Sequence, residues 1–416
     1  MRHVARCKKI AGLLGCNQIL ALCLTMAGVA WPGPPRAPLA ERQVARDAVA
    51  EPNAEQRARY LEVARHWAPA LYQDTDSSLY VGDYITKFNY DGDYNGKNNW
   101  EHLEGRTSLP AYVYYAVSET NTHYFVVYGV YHPRDWHEFD PLDMHENDFE
   151  GLSLALRKDG AEGELVAMET LAHHDFWQYS RAAGIDAGLE AIDGRVGLNN
   201  GSHPRVYIEP KGHGIFACDS RCDRAVEGDG ILYEVGDRAE SPTGGDGDFT
   251  RHYHYALIAM DSDGSSDGNQ GFWYRRNDIC DTCTFGAWGK LRGDNYGTNS
   301  AAMPWVWRDA DRAPVRSGDM ICDPAFFFDA HLNGSPFDFG FSHHYVSQPF
   351  RTHVVTERDP ENAAEHSGWY VLSPELAYRP QALRFGGETS EHSLCRREPS
   401  WSSDHGSPPV DRHILA

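Results

Sequence analysis

Tyr112-Val113-Tyr114-Tyr115-Ala116-Val117, followed after a short polar gap by Tyr124-Phe125-Val126-Val127-Tyr128-Gly129-Val130-Tyr131, decides the fold class. β-Branched and aromatic side chains fit a pleated, packed surface, and runs of this length bounded by turn residues read as strands. Leu152 to Arg157, Leu165 to Thr170, Arg205 to Ile208 and Tyr253 to Met260 repeat the style, with Gly, Asp and Asn between them. Short strands with almost no long helical periodicity predict an all-β chain, a twisted antiparallel β-sandwich with long loops. The exception is Ala54 to Trp67, where Tyr60, Leu61, Val63, Ala64 and Trp67 fall at helical spacing before Ala68-Pro69. This predicts a short N-terminal helix. One further helical turn is expected at Ala363 to His366. Met168 and the aromatic stripes are expected in the core. There is no internal repeat and no glycine-rich phosphate loop.

The 416 residues are 41% hydrophobic, 12% aromatic and 24% charged, the make-up of a folded globular chain. Lys and Arg number 38 against 60 Asp and Glu, a formal charge of −22. Such a chain is not drawn to nucleic acid or anionic lipid by charge alone, because Lys and Arg supply that attraction. The acidity fits a solvated surface or cation binding.

The N-terminus reads as a secretory signal over residues 1–30. Arg2, Arg6, Lys8 and Lys9 form a basic start, Ile10 to Trp31 is apolar but for Asn17 and Gln18, and Gly28-Val29-Ala30 offers a small-residue cleavage site. The alternative is an uncleaved anchor, which Asn17-Gln18 at mid-span would disfavour. Residues 31–53, opening on Pro and Gly, read as a linker. Residues 54–385 are assigned to one large β-sandwich domain and 386–416 to a polar tail. A secreted or periplasmic location makes disulfides the expected use of the six cysteines beyond the signal, Cys218, Cys222, Cys280, Cys283, Cys322 and Cys395. Their pairing stays open, and the close pairs Cys218/Cys222 and Cys280/Cys283 also admit a zinc reading.

Two acidic constellations suggest a divalent cation, calcium in the first instance and magnesium as the alternative. In Asp91-Gly92-Asp93-Tyr94-Asn95-Gly96, side-chain oxygens at alternate positions of a tight loop can turn toward one hard ion. It is not a complete EF-hand, since His102 stands at the twelfth position where a bidentate Glu would be expected. A solvated Asp/Asn turn is the plain alternative. The run Asp261 to Asn269 is a weaker version, read as a β-turn loop. The sharper signal is His145-Glu146-Asn147-Asp148-Phe149-Glu150, leading into the strand that starts at Gly151. Alternate residues of a strand share a face, so Asp148 and Glu150 would point the same way and repel unless a cation or proton lies between them. His145 could ligate or orient. The bland reading is a strand edge with its charges in water. His174, after the strand ending at Thr170, and His213, in a glycine turn after Ile208, are candidates to join this rim and act as acid or base.

Asp148-Phe149-Glu150 entering a strand, a later strand-end His174, Arg205-Val206-Tyr207-Ile208 with Gly212-His213, and the closing Trp288-Gly289 and Met303-Pro304-Trp305 together resemble the vacuolar-sorting-protein-62 family. The resemblance spans roughly residues 66–325. Phe149 stands where that family has Trp, and Lys211 precedes Gly212 where a Ser-containing triplet would give Gly-Ser-His. More distantly, the spacing of His145, Asp148 and Glu150 is similar to the His-Arg-His-Asp-Trp-Glu core of the necrosis- and ethylene-inducing-like cytolysins. That second resemblance implies a β-sandwich with a divalent cation at an acidic rim that engages membrane sphingolipid headgroups.

Two functions follow. In the first, a secreted protein uses a cation at Asp148 and Glu150 to recognise a lipid headgroup or glycan, with Trp136, Trp177 and Trp273 as stacking or insertion surfaces. In the second, the same cation activates water in a metal-dependent hydrolase, with His174 or His213 as acid or base. The oxygen-rich ligand set, with no Cys ligand and no evident nucleophile, favours the first.

Overall fold

The structure, a computed structural model, describes residues 52–76, 78–136, 144–173, 175–181, 192–218, 222, 230–244, 251–265, 268–271, 291–295, 303–304, 307, 319–332, 339–349, 356–357 and 370–371. All of them belong to one compact unit, Ala48–Ala416. The expected signal, the tail, the helical turn at 363–366 and all of the linker but its last two residues lie outside the described residues. Among the described residues no helix is long and apolar enough to cross a membrane.

The predicted helix is α1 (Ala54–His66). Asn53 caps it: its Oδ1 accepts from the Gln56 N–H at 2.9 Å, and Gln56 Oε1 accepts from the Asn53 N–H at 2.9 Å. The reciprocal pair satisfies two otherwise orphaned donors. Its apolar face, Tyr60, Val63 and Ala64, is buried. The chain continues as β1 (Ala70–Gln73), a 3₁₀ turn at Tyr80–Asp83 and α2 (Asn99–Leu103). Next come β2 (Tyr112–Thr120), β3 (His123–Asp135), β4 (His145–Arg157), β5 (Glu164–Ala172) and β6 (Asp175–Ser180). Then follow β7 (Gly194–Arg195), β8 (Leu198–Asn199), β9 (His203–Ile208), β10 (Ile215–Ala217), β11 (Ile231–Val235) and β12 (His252–Ala259). After them lie α3 (Asp319–Cys322), α4 (Pro324–His331) and β13 (Tyr345–Ser347), while β14 (Thr356–Glu357) and β15 (Tyr370–Val371) pair with each other.

The fold is all-β with a short N-terminal helix, as the strand-rich sequence predicts. Its centre is a large curled mixed sheet of 13 strands in the order β10-β9-β1-β11-β12-β2-β3-β4-β5-β6-β7, with β8 on β9 and β13 on β2. The antiparallel expectation holds from β2 through β6. It does not hold for β1/β9, β11/β12, β12/β2 and β6/β7, which are parallel. Strand composition carries no sign of direction, and the long stretches between these strands leave room for the crossovers that parallel pairs need. The first half of β12 (His252 to Tyr255) pairs with β11 and the second half (Ala256 to Ala259) with β2. The sheet turns at this strand, and β10 at its far end comes back against β4 and β5.

Strands β3 and β4 are buried along nearly their whole length. Burial on both faces explains why they read as continuous apolar runs rather than alternating ones. On one face Phe125 stacks on Phe328 of α4 at 5.7 Å, and Phe149 packs on Trp307 at 5.6 Å. On the other, the Tyr128 hydroxyl donates to the Ala64 carbonyl of α1 at 2.7 Å. Gly129 and Gly151 face each other across β3 and β4. A Cβ at Gly151 would run into the Trp307 ring, and one at Gly129 would meet the Phe149 ring at 2.5 Å. The glycine pair is therefore the slot into which these rings pack.

Of the cysteines, Cys218 and Cys222 close on each other, which answers the zinc alternative for that pair. Cys280, Cys283 and Cys395 lie outside the described residues.

Two outcomes follow from this packing. Gly151→Ala overpacks the slot and lowers stability by about 1–3 kcal/mol, read from the denaturant midpoint at unchanged slope. His123 is buried between Phe125 and Phe341, its Nε2 without a hydrogen-bond partner. Burial, with Arg157 and Lys158 nearby, lowers its pKa from 6.5 to about 4. The neutral ring is therefore favoured in the folded state. Its contribution is complete above the ordinary value of 6.5 and is lost as pH falls through about 4. His123→Phe removes that component, so the stability difference between wild type and variant shifts toward the variant across this interval in paired denaturation curves.

Candidate metal centre

The register of β3 and β4 places Asp148 opposite His132, Glu150 opposite Val130 and His145 opposite Asp135. Asp148 and Glu150 alternate along β4. His145 is three residues before Asp148, so an unbroken strand would put it on the opposite face. Asn147, between them, has φ 62°. This left-handed residue interrupts the alternation, and one ligand atom each of Asp135, His145 and Asp148 lies within 4.8 Å of the others. His145 Nε2 is 3.5 Å from Asp135 Oδ2.

Asn147 holds this conformation with all four of its amide positions engaged. Its Nδ2 donates to the carbonyls of Gly96 (2.7 Å) and Arg292, and its Oδ1 accepts from the Tyr131 hydroxyl (2.7 Å) and Asn99 Nδ2 (2.6 Å). Neighbouring Glu146 caps the backbone N–H of Trp100 at 2.8 Å and of Asp294 at 2.9 Å. The polar head of β4 thus ties two loops to the sheet beneath the carboxylates.

Glu150 is buried, and burial raises its pKa well above the ordinary carboxylate range, with Asp148, Glu209 and Asp135 adding like-charge repulsion. Its Oε1 accepts from the His173 N–H at 3.0 Å, while its Oε2 is buried without a hydrogen-bond partner. His173 itself is left-handed at φ 59° and its Nε2 lies 2.7 Å from Glu209 Oε1. That contact raises the pKa of the ring against the opposing effect of burial. Gly212 packs directly on the His173 ring, where a Cβ would sit 2.9 Å from Cε1.

His213 follows in the same turn, at φ 53°, and is wholly buried. Its Nδ1 is 2.8 Å from Asp148 Oδ2 and its Nε2 3.2 Å from Asp83 Oδ1. Burial opposes its charged form, but the two carboxylates push it up to about 10. His132 stacks on it with ring centroids 3.7 Å apart and planes at 6°. Asp83, from the 3₁₀ turn, is held in place by the N–H groups of Trp136 Nε1 (3.1 Å), Lys211 (2.8 Å) and Asp76 (2.7 Å). One ligand atom each of His132, Asp148 and His213 lies within 4.8 Å of the others.

The expected residues therefore divide. His145 and His213 each come together with Asp148, in two separate groups. Glu150 belongs to neither group but feels the charge of Asp148 and Asp135, and His174 lies outside the described residues. Asp91, Asp93 and Asn95 belong to a separate loop, where Asp91 and Asp93 form another acid/histidine group with His102. Much of that loop's oxygen is spent on itself. Asp93 Oδ1 accepts from the Asn95 N–H at 2.7 Å, Asn95 Oδ1 from Lys97 at 3.2 Å, and His102 Nδ1 sits 2.5 Å from Asp91 Oδ2. Of the Asp261 to Asn269 run the structure describes 261–265 and 268–269, and Asp263 Oδ1 accepts from the Ser265 N–H at 2.9 Å. Trp136 is not a surface aromatic: it is 5% exposed, because its indole N–H serves Asp83. Trp177 is 37% exposed, and Trp273 lies outside the described residues.

Asp135, His132 and Asp83 join the group without any motif that marks them. The first two lie where β3 runs on beyond Tyr131 through His132-Pro133-Arg134-Asp135, a polar stretch that composition does not mark as strand. Extending the β3/β4 register past Tyr131 is the signal that finds them.

No family model matches the chain, and no curated protein matches it. Among solved structures, likeness is found to one titled as a toxin fold for microbial attack and plant defense, at 14% identity and TM-score 0.28, covering 55% of this chain and 92% of the other. A non-toxic protein named HaNLP3 matches at 14% identity and TM-score 0.29 over 62% and 88% of the two chains. A third, named NLPPya and solved in complex with glucosamine, matches at 16% identity and TM-score 0.26 over 55% and 92%. These are necrosis- and ethylene-inducing-type proteins. At TM-scores this low the likeness says nothing about the site. The vacuolar-sorting-protein-62 resemblance rests on its motifs alone.

Asn147→Ala takes away the donor to the Gly96 and Arg292 carbonyls and the acceptor of the Tyr131 hydroxyl and Asn99 amide, of which Asn99 keeps its bond to Tyr131. It also leaves a left-handed residue with no side-chain bonds to hold it. The expected loss is about 3 kcal/mol or more, at about 1–3 kcal/mol for each group that water does not reach. Urea denaturation reads it, and a loss below that of an ordinary surface substitution would show that the amide network is dispensable.

Proposed function

We propose that this chain is a secreted protein that binds a divalent cation through Asp135, His145, Asp148 and Glu150 and uses it to hold a surface ligand, the hydroxyls of a glycan or of a lipid headgroup. The observation that carries this reading is Glu150: a buried carboxyl beside Asp148 and Asp135, with one oxygen lacking any hydrogen-bond partner. Carboxylates gathered in a dry place repel unless a cation or protons neutralise them. A set of carboxylate oxygens with a single imidazole suits a hard ion, calcium first and magnesium second. Such an ion, held with an open side, would take vicinal hydroxyls or a phosphate oxygen as its remaining ligands.

Trp177 supports a recognition role, being the one large aromatic among the described residues that is substantially exposed; it packs edge-on against Phe216 at 5.7 Å. A rigid, half-bare indole is a stacking face for a sugar ring. The hydrolytic alternative is less well served. His213, put forward as its acid or base, is wholly buried with both ring nitrogens facing carboxylates. A general base must reach the water it deprotonates.

The test is calorimetric titration of calcium and magnesium into the chelator-treated chain, wild type beside Glu150→Gln and Asp135→Asn. Affinity falls by about tenfold or more in each variant if these groups ligate, the scale of loss typical of metal-site substitutions. Glycan arrays and phospholipid vesicles, each with and without chelator, then separate the two ligand sources. Unchanged cation affinity in both variants would remove this reading, and chelator-sensitive hydrolysis of ester or phosphoester substrates would replace it with the enzymatic one.

A further inference from the structure

Beside the oxygen-rich group lies a second set of donors of different chemistry. His132 and His213 are both wholly buried, and each has one ring nitrogen committed to an outer acceptor. The Gln73 amide donates through Nε2 to the Asp74 carbonyl at 2.9 Å, which fixes its Oε1 as the acceptor that His132 Nε2 faces at 3.0 Å. His132 Nε2 therefore carries the hydrogen, and Nδ1 is left as a bare lone pair. That Nδ1 is buried with no hydrogen-bond partner. On His213, Nε2 faces Asp83 Oδ1, an oxygen that already accepts from Trp136 and Lys211. Its Nδ1 faces Asp148 Oδ2, one acceptor against another unless something electrophilic lies between them.

A histidine whose outer N–H is tied to a carboxylate or an amide oxygen, with its inner nitrogen open, is the arrangement found around protein-bound transition metals. The outer bond fixes the tautomer and strengthens the inner nitrogen as a ligand. His132 has this arrangement, and His213 has Nε2 on Asp83 and Nδ1 turned to the Asp148 carboxylate. One ligand atom each of His132, His213 and Asp148 lies within 4.8 Å of the others. We propose that His132, His213 and Asp148 form a second, softer cation site that takes a borderline transition ion such as zinc, distinct from the calcium- or magnesium-type group of Asp135, His145 and Glu150. Two imidazoles and a carboxylate match the preference of zinc, whereas calcium and magnesium favour oxygen. Asp148 belongs to both groups, so with both loaded its carboxylate bridges two ions.

The site does not depend on the calcium reading, and the experiment keeps the two separate. Cobalt(II), a spectroscopic stand-in for zinc, is titrated into the chelator-treated full chain with calcium present in excess. One equivalent of cobalt with visible ligand-field bands is expected in the wild type. Its affinity falls by about tenfold or more in His132→Gln, while the bands persist in Glu150→Gln. No cobalt uptake, or equal affinity in wild type and His132→Gln, overturns the proposal and leaves a proton alone joining His213 to Asp148. Loss in Glu150→Gln with retention in His132→Gln would overturn it as well, placing cobalt in the oxygen-rich group. Should His132→Gln fail to fold, X-ray absorption of the zinc-loaded wild type decides without a variant: two imidazoles in the first coordination sphere are expected, and fewer than two overturn the assignment. Calcium binding that fails while cobalt binding survives sinks the earlier reading and leaves this one standing.

Discussion

Like charges forced together in a place without water are the constraint around which this chain is arranged. Asp148 and Glu150 sit on a strand packed on both faces, with Asp135 beside them and Asp83 across the His213 ring. The protein answers with neutralising and donating groups from several elements at once. The His213 ring lies between Asp148 and Asp83, the His173 N–H reaches Glu150, and the backbone at Phe149 donates to Asp148. Among the described residues, four of the five non-glycine positions with positive φ, Asn147, His173, Lys211 and His213, cluster in this region. Unfavourable backbone conformations persist only where the surroundings over-determine them, and they concentrate at functional sites. The polar head of β4 is thus the costliest part of the fold, and the apolar length behind it, Leu152, Leu154 and Leu156, all buried, is what holds it there.

Much of this is legible in the amino-acid sequence. The strands follow from their β-branched and aromatic content, and α1 from its spacing and its stop at Pro69. The Asp148/Glu150 pair follows from period-two geometry and from the energy of two acids on one buried face. What is not legible has a physical reason in each case. Strand direction is absent from composition, so the parallel pairs of β1 with β9 and of β12 with its two neighbours cannot be read from it. Asp135 and His132 stay hidden because β3 continues through residues with little strand propensity, held by register with β4 rather than by their own preference. His145 joins the group only because Asn147 breaks the alternation, and nothing local announces a left-handed asparagine whose partners are Gly96, Asn99, Tyr131 and Arg292. Trp136 reads as a surface ring because an indole shows no sign of its partner until Asp83 is placed in space.

The two acid/histidine regions contrast in a way that composition conceals. The Asp91–Asn98 loop satisfies much of its own oxygen through successive side-chain-to-backbone bonds, the usual economy of Asx-type turns. The β4 cluster leaves Glu150 Oε2 and His132 Nδ1 without partners in a setting where unmatched polar atoms are rare. A similar tally of Asp, Asn and His in sequence thus stands for a self-sufficient turn in one place and a set of buried, unmatched polar atoms in the other.

The strand β12 lends half its length to each part of the curled sheet, bonding β11 with His252 to Tyr255 and β2 with Ala256 to Ala259. Neither part can peel away without stripping a row of amides from the other. The β1–β9–β11 side and the β2–β6 side thus meet through a single strand, so a local opening of β12 as a whole severs both sets of backbone bonds at once.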